Sequence, residues 1–267
     1  MAKELAEKKA SAVAVYEGME DLADFGFSEV TTEDLAIPFF RILQSMSPQK
    51  NKRDGAYVEG AEEGMFFNTV LNTVYDGVQG VEIIPCYYSR RFVEWRPDNG
   101  GYVGSHDPTD PIVQTAVRGA DNNDWLPNGN YIENTAQFYC IVLDPELGPQ
   151  RVMLTMTSTQ LKKARKWLTQ AQSLTAQGKN GIYVLPLMSQ IYKARSVPEK
   201  NDQGSWFGWE ISRSRGLDLA NEEDKLLFDM ALAFAKQVKA GEVKVKQEAP
   251  ANASVEGDTI EHDDGVM

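Results

Sequence analysis

The sequence predicts a mainly β domain with added helices, an α+β fold whose strands close into a barrel. The strongest support is the run from Gly80 to Pro97, where β-branched and aromatic residues dominate and predict one long strand. Several similar runs alternate with turn signals, and two other runs carry a clear helical period. With 267 residues and 42% apolar content, the chain can bury a sizeable core.

Composition divides the chain into three parts. Residues 1–32 are rich in Ala, Glu and Lys and then acidic, which predicts a mobile acidic arm. Residues 33–241 hold the predicted strands and helices and form the folded domain. Residues 242–267 contain few large apolar side chains, so we expect a disordered acidic tail.

The strands are predicted from β-rich runs bounded by turn residues. Met65–Val74 precedes the turn signals Asp76-Gly77 and Gln79-Gly80, so we expect this strand to pair antiparallel with the Gly80 strand. The polar stretch Gly119–Asn130 is expected to be an exposed loop. The remaining strands form two hairpins, Thr135–Leu143 with Arg151–Thr157 and Leu187–Val197 with Ser205–Ser214.

Two helices are indicated by capping residues and by apolar spacing. Ser158 or Thr159 caps the first, whose apolar positions are Leu161, Ala164, Leu168 and Ala171. Asn221 caps the last, which ends at Gly241 and whose apolar stripe is Leu227, Ala231, Phe234 and Val238. A short helix from Asp110 to Arg118 is also predicted, with Asp110 as its cap.

This order of elements is typical of an OB-fold-like β-barrel, the oligonucleotide-binding fold. In that fold a helix lies between the third and fourth strands, and here the first predicted helix separates the two hairpins. Such barrels bind single strands across one face, through stacking aromatic residues and basic loops. The sequence therefore predicts an OB-fold-like barrel with one helix between strands and one helix at the C-terminal end.

The net charge of -12 is unevenly distributed along the chain. Residues 1–40 carry -6 and the last 18 residues carry -5, whereas Arg151–Arg215 holds eleven cations against three acids. A basic half beside acidic ends favours binding to phosphate groups. The helix that begins near Leu161 carries four of these cations, Lys162, Lys163, Arg165 and Lys166. Their alternative role is to form an ordinary solvated helix surface that does not contact phosphate.

Aromatic rings and cations also interleave in the Gly80 strand, a combination suited to single-stranded nucleic acid because bases stack and phosphates need neutralising. The alternative for each ring is packing in the core. The predicted DNA-binding residues are Tyr75, Tyr87, Tyr88, Arg90, Arg91, Phe92, Trp95, Arg96, Lys162, Lys163, Arg165, Lys166, Lys193, Arg195, Trp206, Trp209, Arg213 and Arg215.

Enzymatic motifs are absent from the sequence, which has no P-loop, no GxGxxG after a strand and no GxSxG elbow. Cys86 and Cys140 lie in predicted strands, so we expect free thiols in a reducing cytoplasm. The two cysteines and two histidines do not have the spacing of zinc ligands, so we expect no metal or cofactor. No apolar run is long enough to span a membrane. A magnesium site is disfavoured because its candidate acids lie in polar loops: Asp107, Asp110, Asp121, Asp124 and Glu133.

Five short runs resemble a group of tailed-bacteriophage single-stranded-DNA-binding proteins that are associated with replication genes. These runs are Asp34–Gln44, Ser47–Gln49, Gly64–Val70, Ile84–Cys86 and Phe92–Trp95. The resemblance implies an OB-fold, a role in phage DNA replication, recombination or repair, and location in the cytoplasm of the infected bacterium. It also implies an acidic C-terminal tail that recruits phage or host replication proteins and competes with DNA for the basic groove.

The tail residues that fit this role are Glu256, Asp258, Glu261, Asp263 and Asp264. The chain finishes Gly265-Val266-Met267, whereas many such tails finish with an aromatic residue, so the tail's partner stays open, including a transcription protein. A homo-oligomer is compatible with this class. The alternative is a protein-interaction or virion-associated barrel that does not bind nucleic acid. A steep loss of oligonucleotide affinity with salt separates the two hypotheses.

Overall fold

The structure is a computed structural model that describes residues 25–30, 34–97, 100–201 and 204–243. The expected acidic arm and tail therefore lie almost wholly outside the described residues. Within the described ranges the fold is mainly β, as the sequence predicts.

In the described ranges, short and long strands alternate along the chain and three α-helices are present. In chain order the strands are β1 (Phe40–Ile42), β2 (Phe66–Asn68), β3 (Thr73–Tyr75), β4 (Val81–Trp95), β5 (Tyr102–His106), β6 (Val117–Arg118), β7 (Asp124–Trp125), β8 (Tyr131–Asp144), β9 (Gly148–Thr157), β10 (Thr175–Gly178), β11 (Gly181–Val184), β12 (Gln190–Asn201) and β13 (Gly204–Gly216). The helices are α1 (Pro111–Gln114), α2 (Leu161–Gln172) and α3 (Glu222–Ala240).

The long strands form one antiparallel sheet. Strands β4, β8 and β9 make a meander, β12 pairs with the other edge of β4, and β13 pairs with β12. The short strands β5, β6 and β7 extend this sheet beside β4 and β8. Both hairpins predicted from the sequence are therefore confirmed.

The sheet curls into a half-barrel, and the β1 segment and the turn before α2 contact its two edges. At one edge, Phe39 just before β1 forms a parallel bridge to Met153 of β9. At the other edge, the Gln44 side chain donates to the Phe207 carbonyl and accepts from the Phe207 amide, both at 2.9 Å. The Trp209 amide donates to the Gln160 side chain at 3.0 Å. Two glutamines thus satisfy backbone groups of an edge strand, which would otherwise invite further pairing.

The core consists of two layers, one on each side of the sheet. On one side, Trp167 of α2 stacks on Phe138 with ring centroids 4.2 Å apart, and Phe66 of β2 stacks on Trp209 at 4.9 Å. On the other side, α3 buries Phe234 against the sheet. Cys86 and Cys140 are buried free thiols in β4 and β8, and burial raises the pKa of Cys86 to about 12.

Helix α3 confirms its predicted boundaries and caps. The Asn221 side chain accepts a hydrogen bond from the Asp224 amide, and Gly241 ends the helix with φ of 77°. Helix α2 also forms, but the predicted cap is wrong. A 3-10 turn, Ser158–Gln160, precedes α2, and neither Ser158 nor Thr159 caps it. The apolar positions predicted for α2 did not include Trp167, whose side chain is buried with 2% exposure.

The predicted strand Met65–Val74 is instead the hairpin β2–β3, which pairs with β1 and not with β4. Two asparagines, Asn68 and Asn72, interrupt the strand. The Asn68 side chain accepts hydrogen bonds from the amides of Val70 and Leu71, and Asn72 adopts a left-handed φ of 52°. Both features turn the chain where an uninterrupted strand was expected.

Two further predictions are corrected between residues 110 and 184. The Asp110 cap is present, but α1 ends at Gln114 and Val117–Arg118 is extended. The stretch expected to be a loop contains β7, which pairs with β6 and β8. The hairpin β10–β11 was not predicted, because its strands have four residues each.

Candidate nucleic-acid interface

Two clefts meet at the turn between β9 and α2. The first, which we term the hairpin cleft, has a volume of about 750 Å³ and lies between Gln44–Met46, Thr157–Gln160 and the β12–β13 hairpin end. The second, the insertion cleft, has a volume of about 540 Å³ and lies between the β6–β7 segment and the first residues of β8. Ser158 and Thr159 line both clefts, so the two adjoin each other at this turn, and we refer to them together as the depression.

The turn that joins the clefts has unusual backbone geometry. Ser158 adopts a φ of 47°, in the left-handed region that serine rarely occupies. Asn122, on the wall of the insertion cleft, has a φ of 65°. Among the described residues, two of the three non-glycine residues with positive φ therefore line this depression. Asparagine adopts this region readily, so the strained position is Ser158, and strained backbone concentrates at functional sites.

In the hairpin cleft, Trp206 is held by a carboxylate. Its indole nitrogen donates to Glu199 at 2.9 Å, and the Gln160 amide donates to the same carboxylate at 3.0 Å. Lys163 also pairs with Glu199. A Cβ atom at Gly208 would lie 2.5 Å from the Glu199 carboxylate oxygen, so a side chain at this position would displace the ends of Glu199 and Gln160. The network fixes the aromatic ring at the cleft wall.

The insertion cleft combines a half-buried carboxyl group, Glu133, with the ring of Tyr131. Burial raises the pKa of Glu133, although a hydrogen bond from Thr157 opposes that shift. The rings of Tyr131 and Trp125 meet edge to face, with centroids 5.7 Å apart. Arg118, on the rim, pairs with Asp124 at 3.0 Å. The cleft therefore offers hydrogen-bonding groups beside a ring face.

Besides the strand pairing of β5 and β7, a buried side chain, Glu94, ties the insertion between β4 and β8 to the sheet. Its carboxylate accepts from Asn128 at 2.9 Å and Asn130 at 2.6 Å, and it lies 2.7 Å from His106 Nε2. The His106 Nδ1 atom lies 3.6 Å from the Asp110 carboxylate. Burial raises the pKa of Glu94, but the three hydrogen bonds outweigh it and leave the pKa below its ordinary value.

The predicted DNA-binding residues of β4 divide between the two faces of the sheet. Tyr88 packs on Phe138 in the core layer beside α2, whereas Tyr87 packs in the layer beside α3. Arg90 donates to Asn134, a residue of the insertion cleft, at 3.0 Å and lies over the Phe92 ring. Thus Arg90 and Phe92 lie near the depression.

Two other cations of this region lie elsewhere. Arg91 forms an ion pair with Asp107, and Arg96 is exposed, with its side chain donating to the Gly100 carbonyl at 3.3 Å. Together with the division of β4 between two faces, these positions exclude a single surface formed by the whole strand.

Three residues predicted to stack on DNA bases, Trp95, Trp209 and Tyr75, contact other protein side chains instead. Trp95 is 5% exposed and Trp209 is 4% exposed, so their assignment to DNA stacking is corrected: both are core residues. The apolar surface of each indole is already covered by protein, including Tyr102 beside Trp95. Tyr75 is half-buried and donates to Asp144 at 2.7 Å, and burial raises its pKa.

The basic residues predicted from charge lie on two surfaces. On α2, Lys162, Arg165 and Lys166 are exposed and Lys163 pairs with Glu199. The second surface is that of β12 and β13, and the predicted residues on it are Lys193, Arg195, Arg213 and Arg215.

On the second surface, two arginines have partners. Arg213 donates to Gln190 at 2.8 Å, and Arg215 forms a two-point ion pair with Asp224 at 2.5 and 2.8 Å. The α2 cations are therefore the more available group.

Sequence reasoning missed Ser158, Thr159, Asn134 and the role of Glu133 as a cleft residue. Ser158 and Thr159 were assigned to a cap, and no periodicity marks a left-handed turn. Among the acids considered for magnesium, Asp107 pairs with Arg91, Asp124 pairs with Arg118 and Asp110 caps α1. The expected tail residues, Glu256 to Asp264, lie outside the described residues. In the described part of the chain, no helix combines the length and hydropathy needed to cross a bilayer.

Comparison with known proteins gives a family. Residues 6–244 match the family described as Pam3 phage gp34-like protein. No curated protein and no solved structure matches the chain. The phage origin expected from the sequence is thereby confirmed, and DNA binding stays a prediction. Because the match covers most of the sequence, the chain belongs to the Pam3 phage gp34-like protein family.

Proposed function

We propose that the protein binds single-stranded DNA, without catalysis, along the depression formed by the hairpin and insertion clefts. The observation that carries this proposal is the position of the two clefts. They lie at one end of a curled sheet, between the β12–β13 hairpin end and the insertion that follows β4.

The strand order supports an OB-fold-like barrel. In this assignment β4, β8 and β9 are the first three strands, and β12 and β13 are the last two. Helix α2 lies between the third and fourth of these strands, as that fold requires. OB-folds bind oligonucleotides with strands two and three and with the loops after strands one and four. Those loops correspond to the insertion and to the β12–β13 hairpin end.

The chemistry of the depression suits single strands. Trp206, Phe207 and Tyr131 offer ring faces on which bases of any sequence can stack. Exposed Lys162, Arg165 and Lys166 supply positive charge on the helix that begins at the depression. We therefore propose a role in phage DNA replication, recombination or repair in the infected cell, with the acidic tail recruiting replication or transcription proteins.

The experiment is a fluorescence anisotropy titration of labelled oligo-dT and of a duplex of equal length. We expect tighter binding to the single strand and a linear fall of log affinity with log salt concentration. A Trp206→Ala variant should bind more weakly, while a Tyr183→Ala variant, in β11, should bind as the wild type. Equal affinity for both DNAs, or affinity independent of salt, would overturn the proposal.

A protein-interaction or virion-associated barrel is the second candidate, favoured by one observation. The β10–β11 hairpin exposes Ile182 at 75%, Tyr183 at 50% and Val184 at 53%. Consecutive exposed apolar residues on a two-stranded hairpin are typical of a protein contact. Weaker DNA binding by Trp206→Ala with unchanged binding by Tyr183→Ala would favour the first candidate, whereas absence of DNA binding in the wild type would favour the second.

A further inference from the structure

The insertion cleft contains a carboxyl group for which no cationic partner is found in the described part of the chain. Glu133 lines the cleft, and the group that hydrogen-bonds to it is the hydroxyl of Thr157. The neighbouring cation on the rim, Arg118, is already paired with Asp124. A half-buried carboxylate without a cation is costly unless a ligand supplies donors.

The other walls of the cleft are suited to a flat ring. Tyr131 lines the cleft beside Glu133. Its ring is held by an edge-to-face contact with Trp125, which is not a lining residue. Asn123 and Asn134 add amide groups, and the Asn134 side-chain oxygen already accepts from Arg90, which leaves its amide nitrogen as a donor. The volume of about 540 Å³ lies within the range of small-ligand sites. An unstacked base is recognised by this combination of a ring face and groups that read its edge.

We propose that the insertion cleft binds one unstacked guanine base of the single strand, with the Glu133 carboxylate accepting hydrogen bonds from guanine N1–H and N2–H. This inference rests on the proposed function and adds a base preference to it. An ionised carboxylate is acceptor-only and can accept two parallel donors. Guanine presents two adjacent donors on its Watson–Crick edge, whereas adenine, cytosine and thymine place an acceptor beside their donor.

Two backbone positions support a built site. Ser158 and Asn122, with φ of 47° and 65°, both lie on the cleft wall, where they turn the chain around the opening. Glu94 holds the insertion in place through Asn128 and Asn130, so the wall is fixed before a ligand enters. Fixed polar groups of this kind discriminate strongly against ligands that leave them unpaired.

The experiment compares labelled T-tracts that contain one central dG, dI, dA or no substitution, at constant salt. Inosine has guanine's N1–H but lacks the N2 amine. We expect the dG strand to bind roughly tenfold more tightly than the unsubstituted strand, and the dI strand to lose most of that gain. This comparison uses the wild-type protein and needs no variant to fold.

A variant then assigns the preference to one side chain. Glu133→Gln presents one donor and one acceptor, so it should bind the dG and unsubstituted strands equally. Glu146→Gln, an exposed acid in the β8–β9 turn, is the matched control and should keep the preference. A dG preference unchanged in Glu133→Gln would overturn the assignment.

The remaining outcomes are distinguishable. Equal affinity of the wild type for all four strands would overturn the guanine inference and leave the proposed function standing. Binding to none of them would overturn both. Deoxyguanosine monophosphate should compete only weakly; competition as strong as that of the dG strand would assign the cleft to a free nucleotide and not to DNA.

Discussion

The indole nitrogen of Trp206 donates to the Glu199 carboxylate at 2.9 Å, and the same carboxylate accepts from Gln160 and pairs with Lys163. One acid thus orients an aromatic ring of the hairpin cleft and neutralises a cation of α2. Since 21% of the Glu199 side chain is exposed, the network lies at the surface, within reach of a ligand.

The first prediction concerns Trp206. Replacing it with Ala should weaken single-strand binding by about 1–3 kcal/mol, the contribution of one stacked base. Trp206→Phe keeps a ring but loses the bond to Glu199, so its affinity should fall between those of Ala and the wild type. Anisotropy titrations of the three proteins check this order. An Ala variant that binds as tightly as the wild type would show that no base stacks on this ring.

The second prediction compares two basic surfaces. The double variant Lys162→Ala, Lys166→Ala should weaken binding and lower the slope of log affinity against log salt by about 0.7 for each phosphate that is no longer neutralised. The pair Lys236→Ala, Lys239→Ala on α3 is exposed and charge-matched, and should leave the slope unchanged. Equal slopes in both variants would assign the α2 cations to a solvated surface.

The pair Lys193→Ala, Arg195→Ala should reduce the slope less than the α2 pair. Arg195 lies opposite Glu210 in the register of β12 and β13, and Lys193 lies opposite Glu82 of β4. These acids offset part of the positive charge. A larger reduction of the slope in this pair than in the α2 pair would move the DNA path to the β12–β13 surface.

The third prediction concerns the corrected assignment of Trp209. Its ring stacks on Phe66 at 4.9 Å and is 4% exposed, so Trp209→Ala should reduce the free energy of unfolding by about 3–5 kcal/mol. Urea denaturation followed by circular dichroism measures the reduction. A variant with wild-type stability would contradict the buried position of this ring.

The same residue shows what the sequence could and could not predict. The long strand β4 and helix α3 were predictable because residue type, period and caps at Asn221 and Gly241 all agree. The alternation of strand side chains, however, places Tyr87 and Tyr88 in different core layers. Interleaved rings and cations therefore did not form one surface, and burial of each ring depended on elements distant in sequence, such as Phe66.

The candidate site was harder to predict for a related reason. Its centre is a left-handed turn at Ser158, and its walls come from β8, β12–β13 and the insertion. No short-range sequence pattern predicts that these distant segments lie next to one another. Trp206 and the α2 cations were identified because charge and aromatic content are local properties, whereas Glu133 and Asn134 become cleft residues through the path of the insertion.

The fourth prediction concerns pH. Hydrogen bonds from Asn130, Asn128 and His106 outweigh burial and lower the pKa of Glu94 below its ordinary value of 4.5. A lowered pKa means that Glu94 stabilises the fold above pH 4.5, and that this contribution is lost as pH falls through the lower, folded pKa. Asp110 also faces His106.

Replacing Glu94 with Gln should flatten the stability loss on the acid side and lower stability at neutral pH by about 1–3 kcal/mol, because His106 and the asparagines lose an ionised acceptor. Thermal melts from pH 7 to pH 3 on both proteins provide the measurement. Parallel curves for the wild type and Glu94→Gln would contradict this role.

The last prediction concerns the acidic C-terminal residues. The final 18 residues carry five acids and no Lys or Arg, whereas Arg151–Arg215 carries an excess of cations. Carboxylates tethered to the same chain have a high effective concentration, so we expect them to compete with phosphates for α2 cations such as Lys162 and Lys166. Removing Pro250–Met267 should therefore tighten single-strand binding at low salt, and the gain should shrink as salt screens both interactions.

A matched control separates charge from chain length in this experiment. A full-length variant in which Glu256, Asp258, Glu261, Asp263 and Asp264 are replaced by Asn or Gln keeps the length and removes the charge. It should bind as tightly as the truncated protein, because the competitor is the carboxylate and not the chain that carries it. Titrations of the three proteins with oligo-dT at low and moderate salt decide the matter: weaker binding by the truncated protein at low salt would mean that these acids do not compete for the DNA-binding cations.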